Sequence, residues 1–148
     1  MAIQRDDPYG GFAFLVSMDG DSGGPAAGFL RVTGLDRRVE LLRYRAGNDR
    51  SLAPRLIPGL AAPVTVTFER GAIGSLDLQQ WIQTALAGQA ERRDLSVDLL
   101  AEDLSTVVTS WRMRRALPTS LAGPRLDAMA NEVAIETLTV VAESLTVE

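Results

Sequence analysis

Alternation between apolar and polar residues constrains the fold of this chain more than any other feature of its sequence. The clearest case is residues 64–70, where Val64, Val66 and Phe68 share one side and polar residues occupy the other. A period of two residues is typical of a strand with one buried face. Such a period, or a β-branched composition, recurs in about seven segments. The predicted strands are residues 12–18, 29–33, 38–45, 64–70, 95–100, 106–115 and 133–141.

One segment, residues 75–87, has the period of a helix instead. Leu78 and Trp81 begin a series of apolar residues spaced by three and four positions, which is the pattern of an amphipathic helix. Ser75 precedes the series as a candidate N-cap, and Gly88 follows it as a stop signal. We expect Trp81 to anchor this helix in the core rather than to bind a ligand.

These segments predict a single domain over residues 1–148. Its fold class is mainly β: a β-sandwich or rolled barrel of about seven strands with one flanking α-helix. Two hairpins are expected, and a Gly-rich turn over residues 19–28 joins the strands of the first. The paired segments are 12–18 with 29–33, and 95–100 with 106–115.

The composition excludes most catalytic and metal-binding chemistry. The chain has no His and no Cys, which removes the commonest general base and the commonest soft metal ligands. The glycines do not form a nucleotide-binding motif. We therefore expect no catalytic residues, no cofactor and no metal site.

Charge and hydropathy limit the partners. The net charge is −4, and all 15 basic residues are Arg, so no general attraction to nucleic acid is expected. No apolar run approaches the roughly 20 residues of a membrane helix. The first residues lack the apolar region of a Sec signal peptide.

Residues 46–62 form a long segment without a clear period. They are rich in Gly and Pro, yet they include Leu52, Leu56, Ile57 and Leu60. Irregular segments of this length are usually either functional or disordered. Two interpretations are open: a mobile surface loop, or an arm that packs on something else, such as another subunit. The apolar residues favour the arm.

Two carboxylates mark the last predicted strand: Glu132 directly precedes it, and Glu136 stands inside it. In a regular strand both point away from the apolar residues between them, and so away from the subunit's own core. They are either exposed or paired across a subunit boundary with Arg112 or Arg114 of an adjacent chain. The apolar phase of this strand also shifts, which indicates a bulge near Glu136 or Thr137, or burial on different faces along the strand.

The C-terminal part of the chain carries a recognisable motif. The string Asn131-Glu132-Val133-Ala134-Ile135-Glu136 follows Gly123-Pro124 and Leu126. Other matching residues, in chain order, are Asp7-Pro8, Phe12, Phe14, Val16, Gly34-Leu35, Tyr44-Arg45, Gly47-Asn48, Leu56, Pro58-Gly59, Arg70-Gly71, Trp81, Arg93, Trp111, Arg112 and Pro118. This set resembles the tail tube (inner tube) protein family of contractile phage tails and phage-tail-like contractile injection systems, over nearly the whole chain. The chain departs from the family pattern at residues 101–105, at Leu117 and in the long 19–28 loop.

The resemblance implies an assembled structural protein. Family members form a homohexamer whose sheets join edge to edge into a ring-shaped β-barrel, and the rings stack into a hollow tube. The implied partners are a contractile sheath, a baseplate or spike, a terminator or cap, and cargo (effector proteins or DNA) in the lumen. Assembly in the bacterial cytoplasm, as part of a phage tail or a released particle, is also implied.

The resemblance and the patterns above place candidate interface residues on several segments. The candidates for contact between subunits or rings are Tyr44, Arg45, Asn48, Leu56, Pro58, Arg112, Arg114, Glu132 and Glu136. The alternative function is a small β-sandwich module that binds a ligand in a sheet-lined cleft and does not polymerise. The sequence leaves open whether the particle is a phage tail or an injection system. It also leaves open whether the chain is the main tube subunit or a tube-initiating relative.

Overall fold

A bent antiparallel sheet carries most of the chain in the computed structural model, which describes residues 4–18 and 28–148. The described elements are β1 Phe14–Met18, β2 Arg31–Thr33, β3 Val39–Tyr44, β4 Arg55–Ala61, β5 Val64–Gly71, α1 Asp77–Leu86, β6 Arg93–Leu100, β7 Val107–Ala122, β8 Ile135–Ala142 and β9 Ser144–Val147. This mainly β fold with one described helix is the predicted fold class. The predicted turn over residues 19–28 lies, except for Gly28, outside the described residues.

The long strand β7 joins two layers. Its first half pairs with β6 and β9, and its second half pairs with β8. We call the layer β1-β6-β7-β9 sheet 1 and the layer β7-β8-β5-β2 sheet 2. All strand pairs are antiparallel, and the path from β1 to β2 does not close into a barrel within the subunit.

The bend of β7 lies at Arg115, which adopts a left-handed backbone conformation with φ 54°. This conformation costs a non-glycine residue about 1–2 kcal/mol. The backbone N–H of Arg115 donates to Asp94 Oδ1 at 3.0 Å, and its guanidinium Nε donates to Glu143 Oε2 at 3.0 Å. Asp94 belongs to β6, and Glu143 lies between β8 and β9. The two contacts therefore fix the bend of β7 to β6 on one side and to the β8–β9 junction on the other.

The core fills the space between the layers and beneath the helix. Its largest fully buried apolar side chains include Trp81, Phe68, Met113 and Leu138, and α1 packs against β7. The indole N–H of Trp81 donates to the carbonyl of Glu91 at 2.8 Å, so its one polar group is satisfied on burial. The predictions of the helix and of its Trp81 anchor are therefore confirmed, although Leu76 and not Ser75 occupies the N-cap position.

The first predicted hairpin is wrong, whereas the second is confirmed as β6–β7. β1 pairs with β6, and β2 pairs with β5. Sequence adjacency does not decide the pairing here, because β1 and β6 match their apolar residues directly across the ladder. The facing pairs are Phe14 with Leu99, Val16 with Val97, and Met18 with Leu95. Such cross-strand apolar pairs are what stabilise a sheet.

Residues 46–62 are not wholly irregular, as the sequence had indicated. Their second half contains β4, which pairs with β3 in a separate two-stranded sheet. Pro58 lies in this strand opposite Leu41, which is compatible with an unpaired outer edge. The strand predicted over residues 38–45 is β3, and every residue of β3 is exposed.

The C-terminal strands also differ from the prediction. β8 begins at Ile135 rather than at Val133, and its register with β5 runs without a bulge. The apolar phase shift has a simpler cause: Val133 lies before the strand and is 74% exposed, while Leu138 and Val140 face the core. β7 continues past Arg115 because a register shift between Pro118 and Ser120 accommodates the proline. β9 was not predicted.

Candidate assembly surfaces

Sheet 1 has two open edges within the described residues. β1 pairs only with β6, and β9 pairs only with β7. Their sequences, FLVSM and SLTV, contain no Pro, Lys or Arg. Soluble monomers usually block such edges with charge, proline or a covering element. Both edges are therefore free to accept a further strand.

The directions of these edge strands suit a ring. β1 runs parallel to β7 because each is antiparallel to β6, and β9 runs antiparallel to both. A copy rotated about an axis along the strands would therefore place its β1 antiparallel to β9 of its neighbour. This contact uses two different surfaces, which is the kind of interface that generates rings when the rotation closes.

The backbone of β9 shows which groups face the open edge. Glu148 N donates to Ser110 O at 2.9 Å, and Ser110 N donates to Glu148 O at 3.0 Å. Because N–H groups alternate in direction along a strand, the N–H of Val147 points away from β7. It is available to a strand of another chain.

The two faces of sheet 1 differ in polarity. One face contributes Val16, Val97, Met113 and Leu145 to the core. The opposite face is mainly polar: it carries Ser17, Ser96, Asp98, Ser110, Arg112, Arg114, Ser144 and Thr146, with Leu15 as an exposed apolar residue on β1. Ser110 Oγ donates to Asp98 Oδ1 at 2.6 Å, and Arg112 Nε lies 3.4 Å from Glu148 Oε2. This face can border water without exposing the core.

The β3–β4 hairpin and its tip form a projecting arm, which we define as residues 36–61. It has no backbone pairing with either layer among the described residues. Eight large apolar residues on it are exposed, at 44–85%: Val39, Leu41, Leu42, Tyr44, Leu52, Leu56, Ile57 and Leu60. An isolated two-stranded hairpin is marginally stable in water at best. The arm therefore needs a covering surface.

The arm has the opposite charge to the rest of the chain. Residues 36–61 hold six Arg and three acidic residues, so their net charge is +3. Since the net charge of the whole chain is −4, the remaining residues carry a net charge of −7. The tip is shaped by Arg45, whose Nε donates to Ser51 O at 2.8 Å and whose second guanidinium nitrogen donates to Asp49 O at 3.0 Å. Because its tip is held in this way, the arm keeps a defined shape for binding.

The structure distributes the nine predicted site residues over four places. Five lie together on the arm: Tyr44, Arg45, Asn48, Leu56 and Pro58. Arg112 and Arg114 lie on the polar face of sheet 1. Glu132 lies in the loop before β8, with Oε1 4.0 Å from Arg125. Glu136 lies at the start of β8 and inside the subunit.

The expectation that Glu136 points away from the subunit's core is wrong. Glu136 pairs across the ladder with Arg70, and its Oε2 accepts from Arg70 Nε at 3.3 Å. The Arg70 side chain is 1% exposed and also donates to Asp77 Oδ1 at 2.7 Å. This pairing engages the Glu136 carboxylate within its own subunit.

Arg70 also lowers the pKa of its second partner, Asp77. The hydrogen bond from Arg70 lowers the pKa of Asp77 to about 2. Asp77 stands in the first turn of α1, so the guanidinium ties the start of the helix to β5 and β8. Sequence reasoning missed this hub, although Arg70 continues the parity of Val66 and Phe68 and should have been placed on the core face.

The described residues give no sign of a metal site or a membrane helix. No three acidic side chains in residues 4–18 and 28–148 converge as metal ligands would. No helix in the same ranges is long and apolar enough to cross a lipid bilayer.

Comparison with known proteins gives consistent results. The profile of the family described as T4-like virus tail tube protein gp19 matches residues 10–146. One chain of the sheath–tube complex of PVC, an extracellular contractile injection system, is 26% identical, with a TM-score of 0.84 over 97% of this chain and 93% of that chain. A chain in the tube-terminating cap of the anti-feeding prophage (AFP) is 28% identical, with a TM-score of 0.84 over 100% and 94%. A chain in the AFP baseplate is 25% identical, with a TM-score of 0.82 over 97% of each. No curated protein sequence matches this chain.

Proposed function

Because this chain belongs to the T4-like virus tail tube protein family, we propose that its subunits join through sheet 1 into the inner tube of a contractile injection system. The chain is a structural tube subunit, and its family points to a role without catalysis. The observation that carries the proposal of a ring is the pair of open, antiparallel edges at β1 and β9.

Edge-to-edge joining explains the polarity of sheet 1. In a hexamer, four strands from each subunit would close a barrel of roughly 24 strands, which is wide enough for an open lumen. The apolar face of sheet 1 is covered by the subunit's own second layer. The polar face, with Arg112 and Arg114, would then line the lumen rather than a subunit boundary.

The arm supplies a second kind of contact. Tyr44, Leu56 and Pro58 are exposed on it, and apolar surface of this extent usually marks a protein interface. The arm packs on a neighbouring subunit and links it to its own. The opposite net charges of the arm and of the remaining chain favour such association between copies.

The remaining partners follow from what the similar structures contain. Those structures are a sheath–tube complex, a tube-terminating cap and a baseplate, so a sheath, a cap and a baseplate are the partners that we propose. Their particles also favour an injection system over a phage tail. Assembly in the bacterial cytoplasm and transport of cargo through the lumen belong to the same proposal.

Size-exclusion chromatography and negative-stain microscopy of the purified full chain test this function. Six-fold rings or hollow tubes are expected. Monodisperse monomers or dimers at every protein concentration would instead favour the small β-sandwich binding module.

A further inference from the structure

The two ends of sheet 2 carry different features. At one end Val64 pairs with Ala142, and the arm enters β5 there through Ala62 and Pro63. At the other end Gly71 pairs with Ile135. Since the ladder continues for eight residue pairs, the two ends lie about 23 Å apart.

The end far from the arm presents an apolar surface, which we call the end patch. It is formed by the loops at residues 72–76 and 123–134. Its exposed apolar members are Ile73 (64%), Leu76 (63%), Leu126 (83%), Met129 (94%) and Val133 (74%). The sequence patterns assigned no interface role to any of these five residues. A surface of this kind on a soluble subunit indicates an interaction site.

Backbone contacts fix the shape of the end patch. Ala72 N donates to Ala134 O at 2.9 Å, which joins the two loops. Within the second loop, Met129 N donates to Asp127 Oδ1 at 3.0 Å, and Ala130 N donates to Asp127 O at 3.2 Å. The exposed side chains therefore stand on an ordered support.

We propose that the end patch receives the arm of a second copy of this chain, in the next ring of the tube. This inference rests on the proposed function, and adds to it the surface on which rings stack. The arm and the end patch are both apolar and both uncovered. Their charges are also complementary: the arm carries +3, whereas residues 123–134 contain one Arg and two acidic residues, for −1.

The positions of the two surfaces support the same pairing. The arm leaves one end of sheet 2 and the end patch lies at the opposite end. A copy displaced along the strands of sheet 2 therefore brings its arm towards the end patch of its neighbour. The contact joins two different surfaces and does not close on itself, so repetition gives a filament.

Disulfide cross-linking tests the contact directly, because the chain has no native Cys. Arm variants Leu52→Cys and Leu56→Cys are each mixed with patch variants Leu126→Cys and Met129→Cys, then assembled and oxidised. Disulfides form only when the two Cα atoms come within about 7 Å. At least one arm–patch pair should give a covalent dimer on a non-reducing gel. Leu86→Cys, at an exposed apolar residue on α1 outside the end patch, should give none with either arm variant.

A second set of variants tests the consequence for assembly. Introducing Leu126→Asp and Met129→Asp together should leave rings intact but reduce tubes at least tenfold. Leu86→Asp serves as the matched control and should assemble like the unaltered chain. Tubes of the unaltered chain with no arm–patch dimer, or normal tubes from the double variant, would overturn the inference. Absence of rings and tubes from the unaltered chain would instead contradict the proposed function.

Discussion

Glu136→Ala should destabilise the isolated subunit. The substitution removes one of two acceptors from Arg70, which is buried at 1% exposure, while the Glu136 side chain is itself only 16% exposed. Removing one partner of a buried ion pair typically costs about 3–5 kcal/mol. Arg70 keeps Asp77 at 2.7 Å, so the loss is closer to that of one charged hydrogen bond. We expect the free energy of unfolding to fall by about 2 kcal/mol.

The measurement is chemical and thermal unfolding of the unassembled fraction, because assembly itself stabilises the folded subunit. A loss of this size should lower the melting temperature by about 4–8 °C for a chain of this length. Glu132→Ala is the matched control. Its carboxylate is 43% exposed and 4.0 Å from Arg125, so its effect should stay within about 0.5 kcal/mol. If Glu136→Ala melts like the unaltered chain and yet forms no rings, Glu136 acts at a subunit boundary and our assignment is refuted.

Three further predictions concern the helix, its acidic first turn and the ring. Trp81→Ala should cost about 3–5 kcal/mol by denaturant titration, because it empties a fully buried site; an unchanged midpoint would contradict this. The pKa of Asp77 is lowered to about 2, so its contribution to the stability of the folded subunit is present above pH 4 and lost towards pH 2. The melting temperature of Asp77→Asn should therefore depend less on pH between pH 4 and pH 2 than that of the unaltered chain. Val147→Pro removes an N–H that faces the open edge and should abolish rings by microscopy, whereas Val147→Ala keeps that N–H and should assemble; rings from the proline variant would exclude the β9 edge.

The periodicity of apolar residues within single segments was enough to predict much of the fold. The helix with Trp81, the strand beginning at Val64 and the hairpin of β6 and β7 each show their pattern within one segment. Pairing between distant segments was harder, because the sequence does not state which edge a strand joins. β1 therefore appeared to pair with its neighbour in sequence, and β9, with only four residues, was too short to show a period.

The assembly surfaces were only partly accessible from sequence. The sequence favoured an arm at residues 46–62 because Leu52 and Leu56 are poorly suited to a solvated loop, but it did not show that β3 forms the other half of the hairpin. Glu136 was misplaced because the final strand was assumed to begin at Val133, which put the acids on the wrong parity. The open edges of β1 and β9 have no sequence signal, since they are a property of the whole sheet order.

Cryo-electron microscopy of the assembled protein tests the central claim, that subunits join through the edges of sheet 1. The map should show β9 of each subunit hydrogen-bonded antiparallel to β1 of its neighbour, in an unbroken inner wall of roughly 24 strands whose polar face borders the lumen. A particle whose subunits meet through other surfaces, with β1 and β9 still unpaired, would contradict the account.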